Sequence, residues 1–152
     1  MDPIMVTYHA SDIILACNSN SSYLIETKAR SQAGGYLFLS ENDKIQRNNG
    51  EVLNIALIIK LVMTLDTVAE IGAMYSNASE VASQIIALIE MGHPQPMTPM
   101  QTNNLDGHSS VMKNTNPIRT KSMDMHFHWL RCRDSQGYFR YYWQRGKQNL
   151  AD

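Results

Sequence analysis

Three short apolar segments in the first 60 residues are each typical of a β-strand, because they are rich in β-branched or aromatic side chains. The segments are residues 13–17, 36–40 and 52–60. The polar residues 18–22 are expected to end the first strand, and residues 23–32 to form a loop or short turn. The triplet Asn48-Asn49-Gly50 is a strong hairpin signal before the third strand. Three consecutive strands joined by short turns predict an antiparallel meander.

Residues 61–91 follow the helical period instead. Apolar side chains recur every three or four positions, which places them on one face of a helix. The members of this face are Ile71, Met74, Tyr75, Ala78, Val81, Ile85, Leu88 and Ile89. Gly92 is typical of a helix C-terminus. The polar segment 77–79 is a candidate division between two helices.

Three prolines make residues 93–102 rigid and extended, because each fixes φ at about −65° and biases the preceding residue away from helix. The elements predicted beyond Gly92 are a short strand at 97–102, a helical turn at 105–112, a loop at 113–120, a helix at 122–133 and a strand at 138–143. Met125, Trp129 and Cys132 are spaced to line one side of that helix. The predicted order is therefore βββαβαβ.

Composition indicates one globular domain. The 152 residues are 43% hydrophobic and 18% charged, which suits a single domain with a full core. We place a lead-in segment at residues 1–11 and the domain at residues 12–152. Two cysteines make no disulfide framework, so we expect an intracellular, cytoplasmic or nuclear location. We expect no membrane partner, because no apolar run is long enough to span a bilayer.

Seven stretches of the sequence carry a resemblance to a known family. They are Ser22-Tyr23-Leu24, Lys28–Ser31, Gly34–Tyr36, Ala69–Ala73, Gly92–Asn104, Lys121–Arg131 and Gln148–Asp152. In this order, the set resembles the RNase H domain at the C-terminal end of copia-type retrotransposon Pol polyproteins. The resemblance covers roughly residues 13–152. It implies an α/β RNase H-like fold, with a five-stranded mixed sheet flanked by helices, that lacks its C-terminal continuation.

The resemblance also implies an ancestral reaction and its partners. RNase H domains hydrolyse the RNA strand of an RNA–DNA hybrid with two Mg²⁺ ions, one activating water and one stabilising the leaving oxygen. Mg²⁺ prefers anionic oxygen ligands. The family supplies carboxylates from the first strand, the first helix, the end of the fourth strand and a late aspartate. A reverse-transcriptase domain is the expected partner within the ancestral polyprotein.

The four ligand positions of the family correspond here to Asn20, Val68, Asn103 and Asp152. Asn20 stands in the Ser-Asp-Ala pattern, Val68 at the first glutamate of Glu-Ala-Glu, and Asn103 in Thr-Asp-Asn. Asparagine offers only a neutral carbonyl oxygen, and valine offers no ligand. Because three of four carboxylates are replaced, the resemblance implies a degenerate copy, a pseudoenzyme that does not bind Mg²⁺ tightly.

Displaced carboxylates are the alternative to an inactive site. Asp66 and Glu70 are four residues apart, so they share one face of a helix. With Asp106 and Asp152 they could build a shifted metal site of an active nuclease. We favour the simpler interpretation that Asp66 and Glu70 are exposed helix acids. A protein-interaction module on the retained fold is a third interpretation.

The C-terminal third is basic, which suggests an anionic partner. Residues 113–147 hold eight Lys or Arg against two Asp or Glu, whereas residues 1–112 hold five against eleven. We expect residual binding of RNA–DNA hybrid or other nucleic acid. The candidate phosphate contacts are Arg30, Arg119, Lys121 and Arg145. In the last strand, Phe139, Tyr141 and Trp143 are expected to face the core.

Overall fold

Five strands form one mixed sheet in the computed structural model, which describes residues 5–28, 30–60, 66–104 and 121–151. The elements are β1 (Ile14–Glu26), β2 (Arg30–Ser40), β3 (Glu51–Ile58), α1 (Asp66–Glu90), β4 (Thr98–Thr102), α2 (Lys121–Ser135), β5 (Phe139–Trp143) and a 3₁₀ turn (Gly146–Gln148). The spatial order is β3-β2-β1-β4-β5. The first three strands pair antiparallel, whereas β4 pairs parallel with both β1 and β5. The predicted element order, meander and mixed sheet are confirmed.

The first strand is longer than predicted, because its polar half pairs as regularly as its apolar half. The ladder with β2 runs without a shift from Ile14, opposite Ser40, to Ser22, opposite Gln32. Backbone groups make these bonds, so polar side chains do not interrupt them. The prediction that residues 18–22 end the strand was wrong, and much of the predicted loop at 23–32 belongs to β1 and β2.

Helix α1 packs its apolar face on the sheet as one continuous helix. Most of the predicted face is buried, including Ile71, Ala78 and Val81, although Ile89 is exposed. The division expected at residues 77–79 was wrong. Asn77 is fully buried, and its side chain donates hydrogen bonds to the sheet while the helix continues.

The end of α1 and the proline segment set the start of β4 beside β1. Gly92 has a φ of +90°, and the His93 amide donates to the Leu88 carbonyl at 2.9 Å, which confirms the predicted glycine terminus. Gln95 then pairs with β1 through its side chain. Its Oε1 accepts from the Leu15 amide at 3.0 Å, and its Nε2 donates to the Ile13 carbonyl at 2.9 Å.

Helix α2 buries a different face from the one predicted. Phe127 and Leu130 are buried in the core, whereas Met125 and Cys132 are exposed and Trp129 is half-buried. The mistake arose because this helix has two possible apolar stripes. One runs through Phe127 and Leu130, the other runs through Met125 and Cys132, and both fit the helical period equally well. In β5, Phe139 and Tyr141 face the core as predicted, but Trp143 is 40% exposed.

The parallel pairing of β1 with β4 positions the candidate site. Both strands run in the same direction, so their C-terminal halves reach the same edge of the sheet. The predicted helical turn at 105–112 and loop at 113–120 lie outside the described residues. Among the helices that the structure describes, none is long and apolar enough to cross a membrane.

Candidate functional site

An open cleft of about 310 Å³ lies where β1, β4 and the start of α1 meet. Ser19 of β1 is the register partner of Thr102, the last residue of β4, so Asn20, which continues β1, and Asn103, which follows β4, come next to each other. The residues that line the cleft are Asn20, Ser21, Ser22, Asp66, Glu70, Asn103 and Asn104. The structure therefore brings together the two asparagines that the sequence predicted at strand positions.

Glu70 faces β1 across this cleft. The Ser21 amide donates to Asn20 Oδ1 at 2.9 Å and lies 3.3 Å from Glu70 Oε1, which also accepts a hydrogen bond from it. Asn20 is 8% exposed and Glu70 is 4% exposed. The expectation that Glu70 is an exposed helix acid was wrong. Its carboxylate is held against the strand next to Asn20.

Val68 points away from the cleft and packs in the hydrophobic core. An α-helix turns about 100° per residue, so Val68 and Glu70 are about 200° apart around its axis. The side chain that α1 presents to Asn20 is therefore Glu70, whereas the resemblance implies that Val68 occupies the ligand position of this helix. A side chain at position 68 reaches the core, where it has no access to the strand ends.

Asp66 completes the helix side of the cleft. It is exposed, and Asn104 Nδ2 donates to Asp66 Oδ2 at 3.5 Å. The prediction that Asp66 and Glu70 share one face of the helix is confirmed, because both line the cleft. The cleft thus combines two carboxylates from α1 with the side-chain amides of Asn20 in β1 and of the two asparagines that follow β4.

The side chains of the last residues of β4 and β5 fix the backbone at Asn103. The Asn104 amide donates to Thr102 Oγ1 at 3.2 Å, which bends the chain as it leaves β4. Trp143 Nε1 donates to the Asn103 carbonyl at 3.0 Å. The exposed Trp143 ring therefore lies beside the cleft instead of facing the core as predicted.

Ser19, the residue before Asn20 in β1, is a residue of the site that the sequence did not predict. Asn77 Nδ2 donates to Ser19 Oγ at 2.8 Å, and Asn149 Nδ2 donates to the Ser19 carbonyl at 2.9 Å. The sequence offered one signal for Asn149, because this residue lies in Gln148–Asp152, one of the stretches that resemble the family. The contact joins residues 130 positions apart, so no local pattern reveals it.

The two predicted phosphate contacts whose side chains the structure describes do not line the cleft. Arg30 is half-buried at the start of β2, and Arg145 is exposed before the 3₁₀ turn; neither lines the cleft. Arg119, Asp106, Asp152 and the side chain of Lys121 lie outside the described residues. No group of three or more His, Cys, Asp or Glu side chains is placed to hold a metal ion within the described ranges.

Arginines of α2 and β5 lie over aromatic rings. The Arg133 guanidinium lies 5.3 Å from the Trp129 ring centre and 4.9 Å from that of Tyr138. Arg140 lies 5.3 Å from the Tyr142 ring centre. These distances are typical of cation–π contacts, in which the positive charge of the guanidinium is attracted to the face of the ring.

His126 connects the two helices. Its ring stacks on that of Tyr75, with 3.9 Å between ring centres and 10° between planes. Burial lowers the pKa of His126 below its ordinary value of 6.5, because the charged imidazolium would lose hydration. The ring is a packing element between α1 and α2, away from the residues that line the cleft.

No protein family and no curated protein matches the chain in sequence. Among solved structures, LC11-RNase H1, isolated from compost by a metagenomic approach, matches with a TM-score of 0.63 and 9% identity over 90% of this chain and 88% of that one. The same protein in complex with RNA/DNA hybrid matches with a TM-score of 0.60 and 11% identity over 90% and 88%. The foamy viral protease-reverse transcriptase in complex with RNA/DNA hybrid matches with a TM-score of 0.56 and 14% identity, over all of this chain and 20% of that one. Together with the sheet order, these likenesses show that the chain has the RNase H-like fold.

Proposed function

We propose that the chain is a retroelement-derived RNase H-like domain of copia type that no longer hydrolyses RNA and retains weak binding of RNA–DNA hybrid. The fold supports the first part, because the similar structures are RNase H domains and a viral protease-reverse transcriptase. Two of those structures are complexes with RNA/DNA hybrid. The matched sequence stretches support the copia-type origin, and a reverse-transcriptase domain is the proposed partner in the ancestral polyprotein.

One observation carries the loss of hydrolysis: both strand positions of the cleft are asparagines. Asn20 within β1 and Asn103 just after β4 lie beside Glu70. Two Mg²⁺ ions bridging a phosphate need several anionic oxygen ligands in a fixed geometry. The neutral amide oxygens of Asn20 and Asn103 bring no charge, so the donor set does not fit a pair of Mg²⁺ ions.

The same replacement favours binding without metal. Carboxylates repel a phosphodiester unless cations neutralise them, whereas an asparagine amide can donate hydrogen bonds to phosphate oxygens. The basic C-terminal third, with Arg133 and Arg140, adds attraction for a polyanion. The expected affinity is weak and falls as salt concentration rises.

Restoring the strand carboxylates tests the proposal. The unaltered chain, the variant with Asn20→Asp and Asn103→Asp, and the same variant with Glu70→Gln are compared for Mg²⁺- and Mn²⁺-dependent cleavage of a labelled RNA–DNA hybrid. We expect cleavage only in the double variant, and its loss when Glu70→Gln is added. Cleavage by the unaltered chain would refute the loss of hydrolysis.

The second candidate is an active nuclease that uses displaced carboxylates. It is favoured by one observation, that Asp66 and Glu70 line the same cleft as Asn20. If the unaltered chain cleaves hybrid and Asp66→Asn abolishes that cleavage, this candidate is correct. Binding of hybrid is measured separately at two salt concentrations, and an affinity that does not depend on salt would remove the nucleic-acid claim.

A further inference from the structure

Two buried asparagines hold Ser19 of β1 from opposite sides of the sheet. Asn77, fully buried in α1, donates from Nδ2 to Ser19 Oγ and to the Gly34 carbonyl, both at 2.8 Å. Gly34 is the register partner of Asn20 across the β1–β2 ladder. A single side chain on the helix face therefore ties together the residue before Asn20 and the residue opposite it.

Asn149 makes the corresponding contact on the other face. It is 5% exposed, and its Nδ2 donates to the Ser19 carbonyl at 2.9 Å. Its Oδ1 accepts from the Ala151 amide at 2.9 Å. The Asn149 amide thus links the strand residue that precedes Asn20 to the backbone of residues 149–151.

Two adjacent glycines of β2 make room for these contacts. A Cβ on Gly34 would lie 2.8 Å from the Ala151 carbonyl oxygen, a backbone atom that cannot swing away. A Cβ on Gly35 would collide with Asn77 Oδ1. Successive strand residues point to opposite faces, so each glycine admits a group on one face of the sheet.

We propose that Asn149 is a positioning residue, which sets the part of β1 that carries Asn20 in register with the segment 149–151 that packs on the outer face of the sheet. The inference rests on the proposed function for its meaning, because the positioned element is the part of β1 that lines the cleft. Asn149 touches neither the cleft nor its carboxylates. It acts through the Ser19 carbonyl, one residue before the asparagine that lines the cleft.

Amide NMR of the unaltered chain tests the geometry without any metal. The Ser21 amide is bonded to Asn20 and Glu70, so its resonance reports the cleft. We expect Asn149→Ala to shift the Ser21 resonance and to speed hydrogen exchange at Ala151 by about tenfold, the loss of one hydrogen bond. Asn149→Asp should keep Ala151 protected, since its carboxylate still accepts, yet shift Ser21, since it cannot donate to Ser19.

Gln95→Ala is the matched control. Gln95 is also a side-chain amide bound to the backbone of β1, but at the opposite end of the strand, through Ile13 and Leu15. Its loss should leave the Ser21 resonance in place. The positioning role is refuted if Asn149→Ala moves the Ser21 resonance no more than Gln95→Ala does, with both variants folded.

A second arm uses Mn²⁺ titration of the variant with Asn20→Asp and Asn103→Asp. Adding Asn149→Ala should lower its Mn²⁺ affinity about tenfold or more, as loss of an outer-shell partner does, and adding Gln95→Ala should not. An unchanged affinity would overturn the inference. If the restored variant binds no Mn²⁺, the proposed function loses its site, while the NMR arm still decides the role of Asn149.

Discussion

The close approach of Gly35 to Asn77 predicts that the effect of Gly35→Ala on stability depends on whether the Asn77 side chain is present. A methyl group at position 35 would collide with Asn77 Oδ1, the free end of a side chain that could in principle move. Asn77 is fully buried, however, and its Nδ2 is bonded to Ser19 and Gly34. It cannot swing aside without breaking both bonds, so Gly35→Ala should be costly in the unaltered chain.

The size of the effect follows from those two bonds. Each is worth about 1 kcal/mol net, and residual overpacking adds about 1 kcal/mol, so we expect Gly35→Ala to lower the free energy of unfolding by about 2 to 3 kcal/mol. Asn77→Ala alone should cost about 2 kcal/mol for the same bonds. In the Asn77→Ala background the collision is gone, and Gly35→Ala should cost nothing or stabilise by about 0.5 kcal/mol, because alanine is less flexible than glycine when unfolded.

Urea unfolding of the four chains of this double-mutant cycle measures the coupling. The free energy of unfolding comes from the midpoint and slope of each transition. Gly146→Ala is the matched glycine control, since a Cβ there would lie 3.6 Å from Asn103 Nδ2, an ordinary contact, and should change stability by less than about 0.5 kcal/mol. Costs of Gly35→Ala and Asn77→Ala that add within about 0.5 kcal/mol would refute the packing argument.

Three further predictions concern the core, the helix interface and the cleft. Val68→Glu should lower the free energy of unfolding by about 3 kcal/mol or more, because it buries an unpaired carboxylate; urea unfolding checks this, and a neutral result would contradict the buried position of Val68. Because the pKa of His126 is lowered in the folded chain, the unfolded chain binds a proton at higher pH than the folded chain does. The free energy of unfolding should therefore have its full value above about pH 6.5 and decrease below it. His126→Phe should flatten that slope in urea unfolding between pH 5 and 7, and an unchanged slope would exclude the imidazole as its source. Asn20→Asp with Asn103→Asp should lower stability by about 1 to 2 kcal/mol in chelator, through repulsion with Glu70, and Mn²⁺ should restore it; equal stability in chelator would show that the carboxylates do not interact.

The order of the elements could be predicted from local sequence pattern. The contacts that set the length and continuity of those elements could not. Gly92 and the proline segment could be interpreted residue by residue, because φ preferences are local. The length of β1 could not, because its polar half is held by pairing with β2. The continuity of α1 through Asn77 likewise depends on acceptors in β1 and β2, which rescue a polar residue that would otherwise favour a helix end.

The candidate site divides along the same line. Asn20 and Asn103 could be placed together only through the resemblance, which implies ligand positions on the first strand and at the end of the fourth, and the parallel pairing of β1 with β4 sets them side by side. The residues that support them, Asn77 and Asn149, reach Ser19 from 58 and 130 positions away. Such long-range hydrogen bonds produce no periodic pattern in the sequence. Only the folded chain therefore reveals that buried amides hold Ser19 of β1 in place.

The helix position illustrates why a motif match is safer on a strand than on a helix. Side chains two residues apart lie on the same face of a strand, so an ambiguity of two positions leaves the assigned face unchanged. On a helix the same ambiguity is a rotation of about 200°, which exchanges the core for the cleft. Val68 and Glu70 are separated by that step: one packs in the core, and the other meets the Ser21 amide. The asparagines that β1 and β4 bring to the cleft could therefore be named from the sequence, whereas the carboxylate that α1 contributes could be identified only from the packing of α1 on β1.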